Sequence, residues 1–426
     1  MLSQTHLSEK AIPSKAEAAA SRRLRRWELL AAARELLPGH KRLWECHRKR
    51  LPLMAKLGES VDEVWSRAEQ ADHVRVYRRA DSSTYFSGLR VCGSAWMCPV
   101  CAAKISERRR SSLALAVEAH RAAGGEVALM TLTCSHSRED EVFSLLDSLL
   151  KAFRSFGAGR NRWQEFTPGL VGSVRALEVT HGDANGWHPH LHVLVFLEAK
   201  THLGVTRETL APLWISALAR HGLTASELHG FSLHNGEYAA QYVGKWGLAE
   251  ELTKAHIKMG RKGGKTPWAL LSDYADGDAR SGQLFVEFVE KFKGRSQLHW
   301  SRGLLDELEG RYDIQLRELR AEDDDLASDK VDSEDYLAAR IPHSDWKIIS
   351  RFHLQGRVLE ILRLEDYSGV EKLLERFRAP PPLFPSEPEC SPRASTPSSA
   401  RRVAALFRHP CSPGGFQRDN GAGWKG

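Results

Sequence analysis

Two histidines in the stretch GWHPHLHVLV, residues 186–195, have the spacing of a metal-binding pair on a β-strand. Successive side chains of a strand point to opposite faces, so His190 and His192 share one face while Leu191 and Val193 point to the other. Two neighbouring imidazoles can bind one divalent cation, and the strand holds them in place. The pattern therefore predicts a metal site on this face.

Glu178, in the preceding segment, is the predicted third ligand. Asn185-Gly186 is a strong turn signal, so the segment at 174–180 is expected to pair antiparallel with the histidine strand. The expected register sets Glu178 across from one of the ligand histidines. One carboxylate and two imidazoles suit Mg²⁺ or Mn²⁺ with open coordination positions.

Two tyrosines and a lysine follow in GEYAAQYVGKW, at 236–246. Tyr238 and Tyr242 are four residues apart and Lys245 follows at three, which places them on one face of a predicted helix. A phenol with a pKa of about 10 is a poor nucleophile at neutral pH. It attacks a phosphodiester where a metal polarises the phosphate and cations stabilise the developing charge. The predicted metal site and Lys245 could supply both.

The segments ALMTLT, GWHPHLHVLV and YAAQYVGKW, in this order and spacing, resemble motifs 1, 2 and 3 of the HUH endonucleases, in particular the rolling-circle plasmid replication initiators. The segments at 92–105 and 293–304 also resemble that family, so the likeness spans residues 44–305. It implies that Tyr242 nicks plasmid origin DNA, single-stranded or in a hairpin loop. The products would be a 5′-phosphotyrosine link and a 3′-OH primer. A host helicase is an implied partner.

One position departs from the family pattern. In several relatives a glutamate four residues before the nucleophile activates water for the terminating cleavage, and Tyr238 stands there in this chain. Two-tyrosine relatives use both hydroxyls alternately, so Tyr238 could accept the second strand transfer. Two alternative functions stay open: a two-tyrosine single-strand transposase, and a catalytically inactive, zinc-stabilised DNA-binding regulator.

A cysteine cluster predicts a structural Zn²⁺ site. Cys98-Pro-Val-Cys101 is a CxxC knuckle, and Cys92 lies six residues before it. The fourth predicted ligand is Cys46, with neighbouring His47 as the alternative. The chain's seven cysteines lack the even spacing of a disulfide framework, and in a reducing cytosol clustered thiols favour metal.

Basic residues predict a polyanionic partner. The net charge is +7, and the segment 245–265 holds six basic residues against two acidic ones. Residues 1–50 hold 12 Lys and Arg against 5 Asp and Glu. The residues predicted to contact DNA phosphates are Lys258, Arg261, Lys262, Lys265, Arg22, Arg23, Arg25 and Arg26.

Periodicity predicts the elements that position these residues. The predicted strands are 127–133, 174–180 and 191–197. The predicted helices are 15–37, 141–156, 206–222 and 236–259. With the resemblance, they predict an α+β fold in which helices flank a central antiparallel β-sheet of the HUH type.

Composition shifts divide the chain into segments. Residues 322–335 contain eight acidic residues and one lysine, too much charge to bury, which predicts a linker. The predicted segments are a basic N-terminal helical arm (1–43), a zinc-binding cysteine module (44–110), the HUH endonuclease domain (111–320), an acidic linker (321–335), a helical segment (336–378) and a disordered Pro/Ser-rich tail (379–426). No stretch approaches the ~18 apolar residues of a membrane span, which predicts a cytoplasmic protein without a membrane partner.

Overall fold

The computed structural model describes residues 14–51, 60, 73–159, 162–198, 206–226, 228–245, 264–316, 318 and 321–378. Its helices are α1 (Lys15–Leu36), α2 (Lys41–Glu45), α3 (Pro99–Ala122), α4 (Val142–Phe156), α5 (Arg207–Ala219), α6 (Gly236–Lys245), α7 (Pro267–Ala275), α8 (Ala279–Phe292), α9 (Leu304–Tyr312), α10 (Asp323–Ala327), α11 (His343–Arg351), α12 (Gln355–Leu364) and α13 (Tyr367–Arg378). Among these described helices, none combines the length and the apolar character needed to cross a membrane.

The strands form two antiparallel sheets. They are β1 (His73–Arg78), β2 (Thr84–Ser87), β3 (Glu126–Leu132), β4 (Leu170–Gly182), β5 (Gly186–Leu197), β6 (Phe231–His234), β7 (Leu298–Trp300) and β8 (Tyr336–Pro342). One sheet has the order β6-β3-β5-β4-β7 and the other the order β2-β1-β8. Antiparallel sheets flanked by helices confirm this part of the predicted fold.

The five-stranded sheet places the histidine strand β5 at its centre. β4 and β5 form a hairpin, and Gly186 at its turn adopts a left-handed backbone with φ of 72°. A Cβ at Gly186 would also lie 3.1 Å from the backbone of Ser137 in a neighbouring loop. In this register Glu178 lies opposite His190, which confirms the predicted strand pairing.

Helices cover both faces of this sheet. Leu191, Val193 and Val195 are buried in the core that α4 and α5 share with β5. On the opposite face, Leu194 and Phe196 pack with buried residues of α3, α6 and α9. The histidines occupy the same face as Leu194 and Phe196, further toward the hairpin turn, where β5 is only partly covered.

The smaller sheet, β2-β1-β8, is not predicted by any sequence pattern described above. Val74, Val76 and Ile341 on its strands are buried against α11, α12 and α13. The segment 336–378 is therefore not purely helical, because its first residues form β8 and pair with β1. The predicted tail at 379–426 and residues 246–259 of a predicted helix lie outside the described residues.

The acidic segment differs from the predicted linker because it is packed against the protein. Leu326 and Ala327 of α10 are buried, and α10 contacts α3. The carboxylate of Asp329, only 4% exposed, binds Arg79 at 2.8 Å and also Lys104. The Asp329 charge can be buried because basic residues of α3 and of the β1–β2 turn neutralise it, whereas most other acidic residues of this segment are exposed.

Candidate metal centre and nucleophile

Three predicted ligands meet on β4 and β5. Glu178 Oε2 lies 3.4 Å from His190 Nε2 and 3.5 Å from His192 Nε2. One ligand atom from each residue lies within 4.8 Å of the others. The strand register produces this convergence, because Glu178 is directly opposite His190 and diagonal to His192. A carboxylate oxygen and two imidazole nitrogens at this spacing fit a divalent cation.

Hydrogen bonds on the far side of each ring orient the imidazoles. His190 Nδ1 donates to the backbone carbonyl of His188 at 3.3 Å. His192 Nδ1 lies 3.0 Å from Thr131 Oγ1 on the neighbouring strand β3. Such contacts at Nδ1 fix the ring and leave Nε2 available as a ligand atom.

Glu178 is held in its ionised form. Burial opposes ionisation of this carboxyl, but the charges and hydrogen bonds of His192 and His190 outweigh it and hold the pKa well below its ordinary value. The side chain is 27% exposed. The carboxylate is therefore an available anionic ligand at the edge of the core.

Helix α6 brings a phenol to this carboxylate. Ala239 and Val243 are buried against the sheet, and Gly236 lets the helix begin close to β3, because a Cβ there would lie 2.8 Å from the Val127 carbonyl oxygen. Tyr242 Oη donates a hydrogen bond to Glu178 Oε1 at 2.6 Å. The Tyr242 ring also lies 4.6 Å from that of His192, measured between centroids.

The structure describes the other predicted site residues only in part. Tyr238 and Lys245 lie in α6, but their side chains are outside the described part of the structure. Lys258, Arg261 and Lys262 also lie outside the described residues. Lys265 binds Asp273 at 2.8 Å, so this ammonium group already has a partner within the protein.

Two further histidines adjoin the site and were not among the predicted ligands. His188 Nδ1 lies 2.6 Å from His136 Nε2, and the His188 ring lies 5.1 Å from that of His190. The i, i+2 alternation that selects His190 and His192 would also have selected His188. His136 comes from the loop after β3, and no local sequence signal indicates its position.

The four predicted cysteines converge in the interior. Cys46 follows α2, Cys92 follows β2, and Cys98 and Cys101 begin α3. Cys46 Sγ lies 3.5 Å from Cys101 Sγ and 3.9 Å from Cys98 Sγ, and the Cys92–Cys101 separation is 3.7 Å. Arg34 of α1 donates to the Cys46 carbonyl and holds that loop in place.

These separations fit one tetrahedral ion. Four Zn–S bonds of about 2.3 Å require sulfur atoms about 3.8 Å apart. Hydrogen bonds from Cys46, Cys92 and Cys98 hold the pKa of Cys101 well below its usual range, so the group readily carries a thiolate. The structure includes Cys46 in this group and leaves out the alternative ligand, His47.

Two of the four arginines of α1 that were predicted to contact DNA are engaged inside the protein. Arg23 binds Glu360 of α12, and Arg25 donates to Asp276 at 2.8 Å. Arg26 is only partly exposed. α1 is therefore packed against α7 and α12 and is not a free arm, which leaves Arg22 as the DNA-contact prediction least constrained by the fold.

The comparisons with known proteins bear on the whole arrangement. A family model described as Replication protein matches residues 87–347, more than half of the chain. The chain belongs to this replication protein family. The match includes Glu178, His190, His192 and Tyr242, as well as three of the four clustered cysteines.

Two individual relatives of this replication protein are similar to it, and the name of the first agrees with the family match. Protein rep of Streptomyces lividans is 26% identical over 356 residues, which covers 66% of this chain and 77% of that protein. A neomycin resistance protein of Streptomyces cyanogenus is 30% identical over 149 residues, covering 29% of this chain and 34% of that protein. No solved structure matches the chain significantly. The family and the first relative support a role in plasmid replication.

Proposed function

We propose that this replication protein initiates rolling-circle replication by nicking single-stranded origin DNA, with Tyr242 as its nucleophile. Glu178, His190 and His192 would hold Mg²⁺ or Mn²⁺. The hydrogen bond from Tyr242 Oη to Glu178 Oε1 carries this proposal. It joins a potential nucleophile to the carboxylate whose other oxygen faces both imidazoles.

The two oxygens of Glu178 support two roles. Oε2 faces the imidazole nitrogens and is the proposed ligand atom. Oε1 accepts the phenol hydrogen bond and would receive the phenol proton when Tyr242 attacks. A divalent ion bound there would polarise the scissile phosphate.

The proposed cleavage is a balanced exchange of phosphate esters. Tyr242 Oη forms a bond to phosphorus, the P–O3′ bond breaks, and the released oxygen takes up a proton to become the 3′-OH primer. The phosphate remains as a 5′-phosphotyrosine ester, which stores the energy of the cleaved bond. Attack of a 3′-OH on that ester rejoins a DNA strand and restores the phenol.

Other predicted residues complete the proposal. Lys245, one turn after Tyr242, would stabilise charge on the phosphate, and Lys258, Arg261 and Lys262 would hold the DNA backbone. Four cysteines would hold a structural Zn²⁺. A host helicase would unwind the duplex beyond the nick.

The test is nicking of an oligonucleotide that carries the origin of the encoding replicon, with Mg²⁺ or Mn²⁺. Tyr242→Phe is expected to abolish both nicking and the covalent DNA adduct. The matched control is Tyr367→Phe, which removes a similar phenol–carboxylate hydrogen bond, 2.7 Å to Asp345, away from the site. Nicking by Tyr242→Phe at the wild-type rate would refute the proposal.

Tyr238 is proposed as the acceptor of the second strand transfer. Its position in α6, four residues before Tyr242, supports this role. Tyr238→Phe is then expected to preserve the first nick and to block strand joining in a two-oligonucleotide assay. Intact joining and circle release by this variant would exclude a second nucleophile at that position.

A further inference from the structure

A polar cavity lies beside the N-terminal end of α3, whereas Tyr242 packs with residues further along that helix. A cavity of about 120 Å³ lies where α1, the Cys46 loop, β2 and α12 meet. Its polar lining comes from Arg23, Arg26, His47, Thr84, Lys104 and Glu360. The aromatic side chains of Trp27 and Phe86 form much of the remaining wall.

Arg26 carries a partly exposed charge that the described residues do not pair. No hydrogen bond or ion pair joins its guanidinium to any described residue, and Nε is fully buried. Burial lowers the pKa of Arg26, and repulsion from Arg22 and Arg23 lowers it further. A partly exposed guanidinium without an ion-pair partner among the described residues would be stabilised by an anion in the adjoining cavity.

His47 contributes a second polar group. It is 3% exposed, its imidazole interacts with the Cys101 thiol, and neither ring nitrogen meets the geometry of a full hydrogen bond to a described residue. Its backbone adopts a left-handed conformation with φ of 48°, which is unusual for a residue other than glycine. The edge of the Trp27 ring packs on the imidazole, with centroids 5.1 Å apart. An imidazole ring offers an N–H donor to a ligand.

The other charges at the cavity are already paired. Glu360 is bound by Arg23 at 2.9 Å and by Arg363 at 3.1 Å. Lys104 binds Asp329. Arg26 is therefore the charge at this cavity that a ligand would neutralise, and the one lining carboxylate is screened by two guanidinium groups.

We propose that this cavity binds one phosphate-class oxyanion, with Arg26 and His47 as hydrogen-bond donors. The volume suits a tetrahedral oxyanion with a few waters, since one water occupies about 30 Å³ of liquid. A guanidinium group matches the geometry of phosphate oxygens. The ligand is either free phosphate or the terminal phosphate of a DNA strand. The inference does not depend on the nicking chemistry.

Calorimetric titration of the full-length, zinc-loaded protein with sodium phosphate tests the proposal, with sodium chloride at equal ionic strength as the reference. One saturable site per chain is expected. Arg26→Met should weaken phosphate binding at least tenfold. The matched control is Arg175→Met, because Arg175 is an arginine with a buried, unpartnered nitrogen, as Arg26 is, but lies outside this cavity. Arg175→Met should bind phosphate like the wild type.

Absence of saturable phosphate binding by the wild type would overturn the proposal, even if Arg26→Met failed to fold. Undiminished binding by Arg26→Met would overturn it as well. Competition with trinucleotides identifies the source of the phosphate. Displacement only by a 5′-phosphorylated trinucleotide assigns a DNA terminus, and displacement by neither form assigns free phosphate. Equal displacement by the phosphorylated and unphosphorylated forms would contradict a phosphate-specific cavity.

Discussion

The two groups of potential metal ligands in this replication protein differ in exposure. In each group, the ligand atoms lie within 4.8 Å of one another. The four cysteines are at most 4% exposed, whereas the side chains of His190, His192 and Glu178 are 14%, 15% and 27% exposed. Four thiols complete a tetrahedral shell, and three mixed ligands leave positions open. The buried cysteine group is therefore suited to stabilise the fold. The group of Glu178, His190 and His192 is suited to admit a phosphate.

The largest expected effect is loss of folding on substitution of a clustered cysteine. Apparent zinc-binding energies of about 10–16 kcal/mol in small zinc domains match or exceed the ~5–15 kcal/mol stability of a whole domain. Cys101→Ser is therefore expected to lose zinc and to unfold at lower temperature, measured by metal analysis and thermal unfolding. The control is Cys134→Ala, at a buried cysteine outside the group. Full zinc content and unchanged unfolding of Cys101→Ser would remove the structural role.

A smaller effect is expected at the acidic segment that packs on the cysteine side of the molecule. Breaking a buried ion pair typically costs about 3–5 kcal/mol, so Asp329→Asn should lower the free energy of unfolding by that amount. Asp324→Asn is the control, because its exposed pair with Arg42 is worth under about 1 kcal/mol. Equal denaturation midpoints for the two variants would show that Asp329 is not an anchor.

The same carboxyl predicts a pH dependence. Burial raises the pKa of Asp329, but Lys104 and Arg79 outweigh that effect and hold it below the ordinary value of 3.8. A carboxyl whose pKa is lower in the folded state stabilises the protein fully above its unfolded pKa, and the contribution is lost as pH falls through the folded pKa. The stability difference between wild type and Asp329→Asn should therefore narrow below about pH 4. A difference that is constant from pH 7 to pH 3 would contradict the ion pairs.

The smallest expected effect concerns the orientation of the His192 imidazole in the group of Glu178, His190 and His192. Thr131→Val keeps the shape of the side chain and removes the hydrogen-bond partner of His192 Nδ1. Such partners are worth about 10–100-fold in metal affinity or activity. The metal concentration needed for half-maximal nicking should rise accordingly, with unchanged thermal unfolding. Thr133→Val, which alters the neighbour of His188 instead, should change it less, and the reverse order would contradict this account.

Local sequence signals predicted that Glu178, His190 and His192 come together. The i, i+2 spacing of the histidines and the Asn185-Gly186 turn are both short-range features, and together they specify the register that brings Glu178 to His190. The CxxC knuckle is equally local. Convergence with Cys46 needs the folded chain, because about fifty residues separate Cys46 from Cys98.

Long-range pairing explains most of what the sequence did not reveal. β1 pairs with β8, more than 250 residues later, and no periodicity reports such a partner. Asp329 looks like part of a solvated acidic run until Lys104, 225 residues earlier, is placed beside it. Arg23 looks like a DNA contact for the same reason, because Glu360 is 337 residues away.

Mass spectrometry of the covalent protein–DNA adduct shows whether Tyr242 is the nucleophile. Wild-type protein incubated with origin oligonucleotide and Mg²⁺ or Mn²⁺ is digested, and the peptide that carries the nucleotide is sequenced. The expected adduct is a 5′-phosphotyrosine on Tyr242. An adduct on another residue, or nicking without any covalent adduct, would contradict it.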